Sequence, residues 1–262
     1  MDLQAFARFA NELADLARAH TLAVDTAPRV LTNKAFTSAP FDPVTRDDRL
    51  AEAAMRSLIL ARFPDHAVSG EEGGRSGPEQ AHYCWSLDPI DGTRSFICGL
   101  PSWTTLIALL EGGGPVLGLI DAPRLGQRYL AYGEKAVLIT PQGETPLRTS
   151  ECRTLADARF STTDPFLFEG SEFDTFDRLR SKVKITRFGL DGYAYARLAA
   201  GTIDLVVESG LKAHDFNALI PVVRCAGGTI GDWWGADDFS RGAIIAAATD
   251  ELYRKTVDTL AS

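Results

Sequence analysis

The order of apolar runs and turn signals changes near residue 150, and this change constrains the fold more than any other feature of the chain. Before it, short apolar runs follow one another with only turns between them, as in a meander. The segment Glu111-Gly-Gly-Gly-Pro115 predicts a hairpin turn and not a phosphate-binding loop, because a strand follows it where a helix would be needed. The predicted strands are Tyr83–Leu87, Thr104–Leu110, Val116–Ile120, Tyr129–Tyr132 and Lys135–Thr140.

After residue 150, strands alternate with helices. Two helices also precede the first strands: an amphipathic N-terminal helix and a second helix that begins at Thr45, with Asp48 at position N3, and ends before Pro64. We therefore predict an α/β (α+β) fold, one compact unit of two subdomains, 1–145 and 146–262. The later predicted strands are Arg159–Thr162, Val183–Arg187, Leu205–Glu208, Thr229–Asp232 and Ala243–Ala248, and the later predicted helices are Glu172–Arg180, Tyr193–Ala200, Asp215–Ala226 and Asp250–Leu260.

Charge and hydropathy argue against two classes of partner. The chain has 27 Lys and Arg against 35 Asp and Glu, a net charge of −8, which is the wrong sign for neutralising nucleic-acid phosphates. The longest apolar runs, such as Ala243–Ala248, are far too short to cross a bilayer, and the charged N-terminal segment is unlike a signal peptide. We expect a cytoplasmic protein that binds neither nucleic acid nor membranes.

The most informative segment is Asp88-Pro-Ile-Asp91-Gly-Thr93, which directly follows the predicted strand Tyr83–Leu87. Asp88 precedes a proline, so it should be extended and place its carboxylate at the rim of a sheet. The last three residues would begin a helix, whose free N–H groups form an anion site. An anion beside two carboxylates is unfavourable unless cations lie between them, and all-oxygen ligands favour Mg²⁺, Ca²⁺ or Mn²⁺. The alternative is a purely structural Asx turn.

Two further acidic segments are ambiguous when each is taken alone. Ser69-Gly-Glu71-Glu72-Gly-Gly74 follows a predicted strand at His66–Val68, and such a segment is usually a solvated loop. Asp215 would be the N-cap of an apolar helix, which by itself explains an aspartate at this place. The combination of the three acidic segments in one chain favours a metal site.

Other catalytic chemistries fit the sequence less well. The four cysteines form no Cys-x-x-Cys pair, so neither a thiolate metal site nor a disulfide framework is indicated. The four histidines show no ligand spacing, and the chain lacks the P-loop, nucleophile-elbow and zinc-protease motifs. Phosphatases with an aspartyl nucleophile need Asp-x-Asp, whereas Asp88 and Asp91 are three residues apart.

The motifs Gly70-Glu71-Glu72 and Asp88-Pro-Ile-Asp91-Gly-Thr93, followed by Asp215 and then Gly227-Gly228, resemble the inositol monophosphatase family of Mg²⁺-dependent, lithium-sensitive phosphatases. The resemblance runs from the first helix to the last strand. It implies a layered α-β-α-β-α sandwich, usually built into a homodimer. It also implies two or three Mg²⁺ ions per site and hydrolysis of a small phosphate ester by a water activated between metal ions, without a phosphorylated enzyme intermediate.

The resemblance also implies a role for each site residue. Gly92 and Thr93 would hold the phosphate. Glu71, assisted by the Thr93 hydroxyl, would orient or deprotonate the attacking water. Asp48, within Pro43-Val-Thr-Arg-Asp-Asp48, would be the catalytic acid near a third and weaker metal. The implied metal ligands are the side chains of Glu71, Asp88, Asp91 and Asp215 and the carbonyl of Ile90.

Three features depart from the family pattern. Asp42 stands where serine is common, and the Lys34–Asp42 segment is a few residues longer than usual. The loop that closes over the site should therefore differ. His214 stands where many members have tryptophan, and it could pack, cap or contact substrate.

Three segments look most like bacterial histidinol-phosphate phosphatases: Phe96–Trp103, Asp191–Ala196 and Glu208–Asp215. We therefore expect histidinol phosphate, a substrate of histidine biosynthesis with a cationic amine and a titratable imidazole. Asp191 and Glu208 are the predicted substrate-binding residues, although either could merely cap or pair at the surface.

Three other functions stay open. The first is an inositol monophosphatase and the second is a noncatalytic regulatory binding protein on the same fold. The third is a bisphosphate nucleotidase or fructose bisphosphatase, which should show basic residues for a second phosphate. No obvious basic cluster lies near the motifs, although Arg187 and Lys212 keep this possibility open.

Overall fold

A computed structural model describes residues 2–23, 31–33, 43–168 and 170–262. The Lys34–Asp42 segment, with its predicted effect on the loop over the site, lies outside these residues. The helices are α1 Leu3–Thr21, α2 Arg46–Arg62, α3 Thr93–Ile97, α4 Ser171–Arg180, α5 Gly192–Ala199, α6 Ala213–Phe216, α7 Leu219–Cys225 and α8 Asp250–Ala261. The strands are β1 Leu31–Asn33, β2 Pro43–Thr45, β3 Ala67–Gly70, β4 Gly74–Ser76, β5 Tyr83–Asp91, β6 Thr104–Glu111, β7 Gly114–Ala122, β8 Gln127–Tyr132, β9 Lys135–Thr140, β10 Gly143–Pro146, β11 Arg159–Thr162, β12 Ile185–Phe188, β13 Leu205–Glu208, β14 Thr229–Asp232 and β15 Ile244–Ala247.

The larger sheet has eight strands in the order β10-β9-β8-β7-β6-β5-β3-β4. Its pairs are antiparallel except for β3 with β5. The predicted hairpin turn joins β6 to β7 and is confirmed. Gly112 and Gly113 have φ angles of 57° and 92°, the left-handed conformation that a tight hairpin requires and that glycine adopts without strain.

The second sheet has five strands in the order β12-β11-β13-β15-β14. Strand β11 pairs in parallel with β12 and β13, whereas β15 runs antiparallel to β13 and β14. The larger sheet uses residues before 147 and the smaller sheet residues after 158. The division of the chain into subdomains 1–145 and 146–262 stays a prediction.

Three apolar layers hold helices and sheets together, and they confirm the predicted α-β-α-β-α sandwich. Helices α1 and α2 cover one face of the larger sheet, where Leu13 and Met55 pack with Trp85. Helices α5 and α7 lie between the two sheets in a shared core. Helices α4 and α8 cover the far face of the smaller sheet around Phe160 and Leu252. No helix within the described ranges is long and apolar enough to cross a membrane.

Most predicted elements match the structure to within two residues, but the predicted helix Asp215–Ala226 is wrong. The chain instead forms α6 and α7, which are separated after Phe216. Pro221 explains the interruption, because its nitrogen carries no hydrogen for the carbonyl of Asn217 and its ring would clash with that carbonyl in a continuous helix. Strand β5 also runs four residues further than predicted, to Asp91.

Candidate active site

The end of β5 presents Asp88 and Asp91 at an irregularity in the sheet. Asp88 pairs with Leu106 and Asp91 with Thr104, so three steps on β5 oppose two on β6. This bulge turns the backbone of the motif, and the Asp88 carboxylate accepts a hydrogen bond from the Ile90 N–H at 3.1 Å. Asp88 therefore forms the Asx turn that was the structural alternative, and it also lies near the end of its strand, where a metal ligand was expected.

Asp91 is held by two donors that come from different parts of the chain. Its Oδ2 accepts hydrogen bonds from Thr104 Oγ1 at 2.8 Å and from the Gly192 N–H at 2.6 Å. The second bond joins β5 to the start of α5, a hundred residues later. Asp91 therefore has a fixed orientation before any ligand binds.

The predicted phosphate loop follows Asp91 directly. Gly92 has φ 83° and precedes α3, so its conformation is left-handed. The Thr93 hydroxyl donates to the Ile90 carbonyl at 3.2 Å. This contact brings a predicted catalytic hydroxyl and a predicted carbonyl ligand together.

Asp215 joins the motif from the second half of the chain, but the predicted N-cap role is wrong. It lies inside the short helix α6, and its Oδ2 accepts a hydrogen bond from the Lys212 N–H at 2.7 Å. His214 Nε2 lies 3.5 Å from the Asp215 Oδ1. Helix α6 ends at Phe216, before the α7 helix that contains Pro221, so Asp215 belongs to a short separate helix and not to the start of a long one.

Asp88, Asp91 and Asp215 each offer a carboxylate oxygen within 4.8 Å of the other two. Burial, followed by the charges of Glu71, Asp91, Asp215 and Asp48, raises the pKa of Asp88 well above its usual value. Burial and neighbouring acids likewise raise the pKa values of Asp91 and Asp215. Buried like charges at this distance need either protons or a cation, and the all-oxygen donor set fits a hard divalent cation.

Glu71 and Asp48 border this group from α2 and its neighbouring turn. Glu71 ranks first among the charges that raise the pKa of Asp88, and its N–H donates to the Leu87 carbonyl at 3.2 Å. Asp48 lies at the third position of α2, as predicted, and is 1% exposed. The structure thus brings the predicted acids Glu71, Asp48, Asp88, Asp91 and Asp215 together.

Asp191 lies against the phosphate loop in an unusual backbone conformation. Its φ is 47°, a region that residues other than glycine seldom adopt, and such strain often accompanies functional sites. A Cβ atom on Gly92 would lie 2.8 Å from the Asp191 carboxylate. Burial raises the pKa of Asp191 to about 6, against the lowering effect of Arg94. No hydrogen bond from the described residues reaches this carboxylate.

Glu208 ends β13 as predicted, but it is buried rather than at the surface, with 2% exposure. Its Oε1 accepts bonds from the Thr163 N–H and hydroxyl, both at 2.9 Å, and its Oε2 accepts from Thr162 Oγ1 at 3.2 Å. Burial raises its pKa to about 8, and the Asp191 charge adds to this effect. A carboxylate offers about four acceptor positions, so one is left for a ligand.

Tyr195 is a candidate that the sequence reasoning missed. Its hydroxyl is buried and has no hydrogen-bond partner among the described residues. Burial raises its pKa, and the charges of Glu208, Asp91 and Asp215 contribute to this rise. A tyrosine on a short apolar helix is typical of core packing, so no signal in the sequence distinguishes it.

A cavity of about 580 Å³ lies elsewhere, along Ser150–Thr154 and Lys184. None of the predicted site residues lines it. Its buried acid, Asp204, is paired with Arg159 at 2.6 Å. We therefore assign the chemistry to the acidic cluster and not to this cavity.

Comparison with known proteins identifies the family to which this acidic site belongs. Residues 2–262 match the sequence pattern of the inositol monophosphatase family. The chain belongs to that family. It is 42% identical to the bifunctional phosphatase IMPL2, chloroplastic, of Arabidopsis thaliana, over 99% of this chain and 76% of the relative. A histidinol-phosphatase of Streptomyces coelicolor is 36% identical over 85% of this chain and 84% of that protein.

A solved structure supports the same membership of the inositol monophosphatase family. An inositol monophosphatase from Zymomonas mobilis superposes with a TM-score of 0.87 at 38% identity, covering 100% of both chains. The family and these relatives are phosphatases, so this chain is a phosphoric monoester hydrolase that acts on small phosphorylated substrates. The family depends on metal, typically Mg²⁺, in agreement with the acidic cluster.

Proposed function

We propose that this phosphatase hydrolyses histidinol phosphate to histidinol in a Mg²⁺-dependent reaction. The observation that carries the proposal is the pair of additional acids, Asp191 and Glu208, beside the acidic cluster. Asp191 adjoins Gly92 of the phosphate loop, and the charge of Asp191 raises the pKa of Glu208. Two acids in this position suit a substrate that is cationic beyond its phosphate, and a relative named histidinol-phosphatase supports the same choice.

The proposed metal ligands are the four acids Glu71, Asp88, Asp91 and Asp215 and the carbonyl of Ile90, which would hold two or three ions. When bound, Mg²⁺ would neutralise the phosphate and the leaving oxygen and acidify a water. The carboxylates would then stay ionised, because an adjacent cation lowers a raised carboxyl pKa.

The chain itself would position the phosphate and move the proton. Gly92 and Thr93 would donate N–H groups to the phosphate at the start of α3. Glu71 would accept the proton of the attacking water, and the Thr93 hydroxyl would help to orient that water. Asp48, buried beside the cluster, would support the weakest of the metal positions. These steps need no covalent intermediate, because positioning and electrostatics can supply most of the rate enhancement.

Charge is the basis of the proposed selectivity. Inositol phosphate offers only neutral hydroxyls beyond its phosphate, whereas histidinol phosphate adds an ammonium and an imidazole. A cation bound near Asp191 and Glu208 would lower both raised pKa values and restore their ionised forms. Each charge-assisted hydrogen bond formed in this way is worth about 1.5–3 kcal/mol.

The deciding experiment compares kcat/KM for histidinol phosphate and inositol monophosphate in wild type, Asp191→Asn and Glu208→Gln. Fructose bisphosphate and phosphoadenosine phosphate complete the panel, each with Mg²⁺ and with excess chelator. We expect wild type to prefer histidinol phosphate and each variant to lose about tenfold or more on that substrate, with a much smaller loss on the neutral one. Equal losses, or a wild-type preference for inositol monophosphate, would refute the histidinol assignment. Full activity in chelator would refute the metal assignment.

The assembly, compartment and inhibitor sensitivity of the protein are also part of the proposal. Membership of the family supports a homodimer that is inhibited by lithium, whereas the proposed cytoplasmic location rests on the sequence pattern alone. Exposed apolar side chains on α4 and β12, Phe173 and Phe188, both contact Phe176 and offer a surface for a second copy. Sedimentation of the purified chain tests the dimer, and phosphate release in the presence of LiCl tests the inhibition.

A further inference from the structure

Glu52 is a buried acid that the proposed chemistry does not use. It lies on α2 one turn after Asp48 and is 2% exposed. Its Oε2 accepts a hydrogen bond from the Glu72 N–H at 2.7 Å, and its Oε1 accepts from the Gly73 N–H at 2.9 Å. Arg56 also donates to Oε1 and neutralises the charge. With three donors already bound, Glu52 is suited to hold the backbone and not a metal.

Arg56 extends the same attachment to both strands that flank the turn. Its guanidinium donates to the Ser76 hydroxyl at 2.6 Å, to the Gly74 carbonyl at 2.9 Å and to the Val68 carbonyl at 3.3 Å. Val68 lies on β3, whereas Gly74 and Ser76 lie on β4. The Glu52–Arg56 pair therefore contacts the 70–74 turn from inside and at both ends.

The glycines of the turn are matched to this buried carboxylate. A Cβ atom on Gly70 would lie 2.3 Å from Glu52 Oε1, and one on Gly73 would lie 2.8 Å from the same atom. Both distances are too short for any side chain without displacement of Glu52. The Gly-Glu-Glu-Gly sequence thus lets the backbone approach Glu52 closely enough to donate its N–H groups.

The turn needs such an anchor because it carries Glu71 towards other acids. Glu71 is the neighbouring charge that acts most strongly on the buried Asp88, and Asp91, Asp215 and Asp48 add to the same field. Repulsion within this group would push a loosely held turn away from the cluster in the absence of metal. A turn fixed by hydrogen bonds to a buried ion pair resists this displacement, since the geometry is set before a cation arrives.

We propose that Glu52 and Arg56 are positioning residues that hold Glu71 in place for metal binding. This inference rests on the proposed role of Glu71 as a metal ligand. Glu52 acts through the backbone of Glu72 and Gly73, and it touches neither the substrate nor the metal. Residues that orient metal ligands typically change metal affinity by about 10–100-fold when they are replaced.

The test measures Mg²⁺ binding by calorimetry without substrate, together with kcat at saturating Mg²⁺ and the unfolding temperature without metal. In Glu52→Gln the amide NH₂ group must face at least one of the donors that now bind the carboxylate, which are the Glu72 N–H, the Gly73 N–H and Arg56. At least one of these hydrogen bonds is then replaced by a repulsive contact between two donors. In Arg56→Met the carboxylate keeps its two backbone donors but loses its cation. Glu251→Gln is the matched control, because it removes an i,i+4 ion pair of the same spacing, with Lys255, on the exposed side of α8.

We expect Glu52→Gln to weaken Mg²⁺ binding by about tenfold or more, Arg56→Met to act in the same direction, and Glu251→Gln to have no effect. Unchanged Mg²⁺ affinity and kcat in folded Glu52→Gln and Arg56→Met, with only a lower unfolding temperature, would overturn the inference and leave the proposed function intact. If Glu52→Gln does not fold, Arg56→Met decides alone. Absence of Mg²⁺ binding by wild type would overturn the metal assignment itself and this inference with it.

Discussion

Asp88 is a side chain that is unfavourable for folding in the absence of metal and that we propose to be a metal ligand. It is 2% exposed, and four neighbouring acids contribute to its raised pKa. A carboxyl in such surroundings either binds a proton or repels its neighbours in the metal-free protein. The proposed metal site would explain its position, because a cation would neutralise these acids, whereas a structural Asx turn needs no other acids.

Asp88→Asn should reduce turnover by more than about 100-fold, beyond the effect of losing a residue that only supports a ligand. The Asn oxygen can still accept the bond from Ile90 N–H, so the metal-free protein should keep its fold. Its free energy of unfolding should rise, since the amide carries no charge and relieves the repulsion among the buried acids that raises the pKa of Asp88. Phosphate release and urea unfolding in chelator measure the two effects, with exposed Asp258→Asn as control. Near-normal turnover in a folded variant would discard the metal assignment.

Tyr195→Phe tests a hydroxyl that is buried without a partner among the described residues. If this hydroxyl serves the substrate or an ordered water, its removal should lower kcat/KM by about tenfold, the value of one neutral hydrogen bond. The same change should stabilise the metal-free protein slightly, because it deletes a desolvated polar group. Kinetics and urea unfolding would measure both quantities.

Tyr129→Phe is the matched control for Tyr195→Phe. The Tyr129 hydroxyl donates to Gln127 at 2.8 Å and accepts from Arg197 at 3.1 Å, so its removal should destabilise the protein. The opposite signs of the two stability changes separate a functional hydroxyl from a structural one. Loss of stability in Tyr195→Phe with unchanged kinetics would place Tyr195 in the core only.

At the scale of elements, the junction between α6 and α7 decides where Asp215 lies. Pro221 prevents one continuous helix, and the chain between the two helices packs directly on β7. At this contact a Cβ atom on Gly118 would lie 2.1 Å from the Ala218 carbonyl oxygen and 3.3 Å from the Pro221 ring. Glycine at position 118 therefore lets the junction approach the larger sheet and brings Asp215 to the acids of β5.

Gly118→Ala should destabilise the protein by about 1–3 kcal/mol, the usual cost of adding a methyl group to a filled core. It should also weaken Mg²⁺ binding, because α6 and Asp215 must move away from the sheet. Gly114→Ala on the same strand is the control, since only one atom, the Glu111 carbonyl oxygen at 3.8 Å, lies near its Cβ position. Urea unfolding and Mg²⁺ calorimetry should separate the two variants. Equal stability of both would show that the junction adjusts without strain.

At the scale of the whole molecule, both sheets and the helices between them contribute acids to one place. Strand β5 of the larger sheet supplies Asp88 and Asp91, and β13 of the smaller sheet supplies Glu208. Asp191 directly precedes α5, and Asp215 lies within α6. Packing the two sheets against each other therefore also concentrates negative charge. As a result, the stability of the folded protein should depend on pH and on bound Mg²⁺.

Metal-free protein should lose stability as the pH rises from about 5 to 8. The pKa is raised to about 6 in Asp191 and to about 8 in Glu208, so in this range the folded state binds more protons than the unfolded state. The free energy of unfolding then falls with rising pH. Bound Mg²⁺ should favour the ionised forms and flatten this slope, so its stabilising effect should be larger at pH 8 than at pH 6.

Urea unfolding at several pH values, with Mg²⁺ and with chelator, measures this coupling. His66 has the opposite influence, because burial lowers its pKa and its protonation below about pH 6.5 destabilises the fold. This contribution is the same with and without metal, so the difference between the two curves isolates the acids. The double variant Asp191→Asn/Glu208→Gln should make the metal-free curve less steep, and the raised pKa values of Asp88, Asp91 and Asp215 should account for the remaining slope. If Mg²⁺ raised the free energy of unfolding by the same amount at every pH, the proposed coupling between metal binding and the ionisation of the acids would be contradicted.

Local patterns were sufficient for much of the architecture. The strand ranges Lys135–Thr140 and Leu205–Glu208, the hairpin at Gly112-Gly113 and the α/β class were all predictable, whereas the layered arrangement was implied by the resemblance to the family. Each depends on apolar periodicity, turn chemistry or a contiguous motif, and these act over a few residues. The residues of the Asp88–Thr93 motif likewise indicated the family by resemblance before any distance was known.

Only the tertiary structure decided which distant residues meet. It placed Asp215 within 4.8 Å of Asp88 and Asp91, separated α6 from α7, buried Glu208 and left the Tyr195 hydroxyl among acids. It also revealed that Glu52 reaches the backbone of the turn that carries Glu71. These contacts depend on how two sheets and their helices pack, so they arise from close packing of the whole chain and leave no local signal in the sequence.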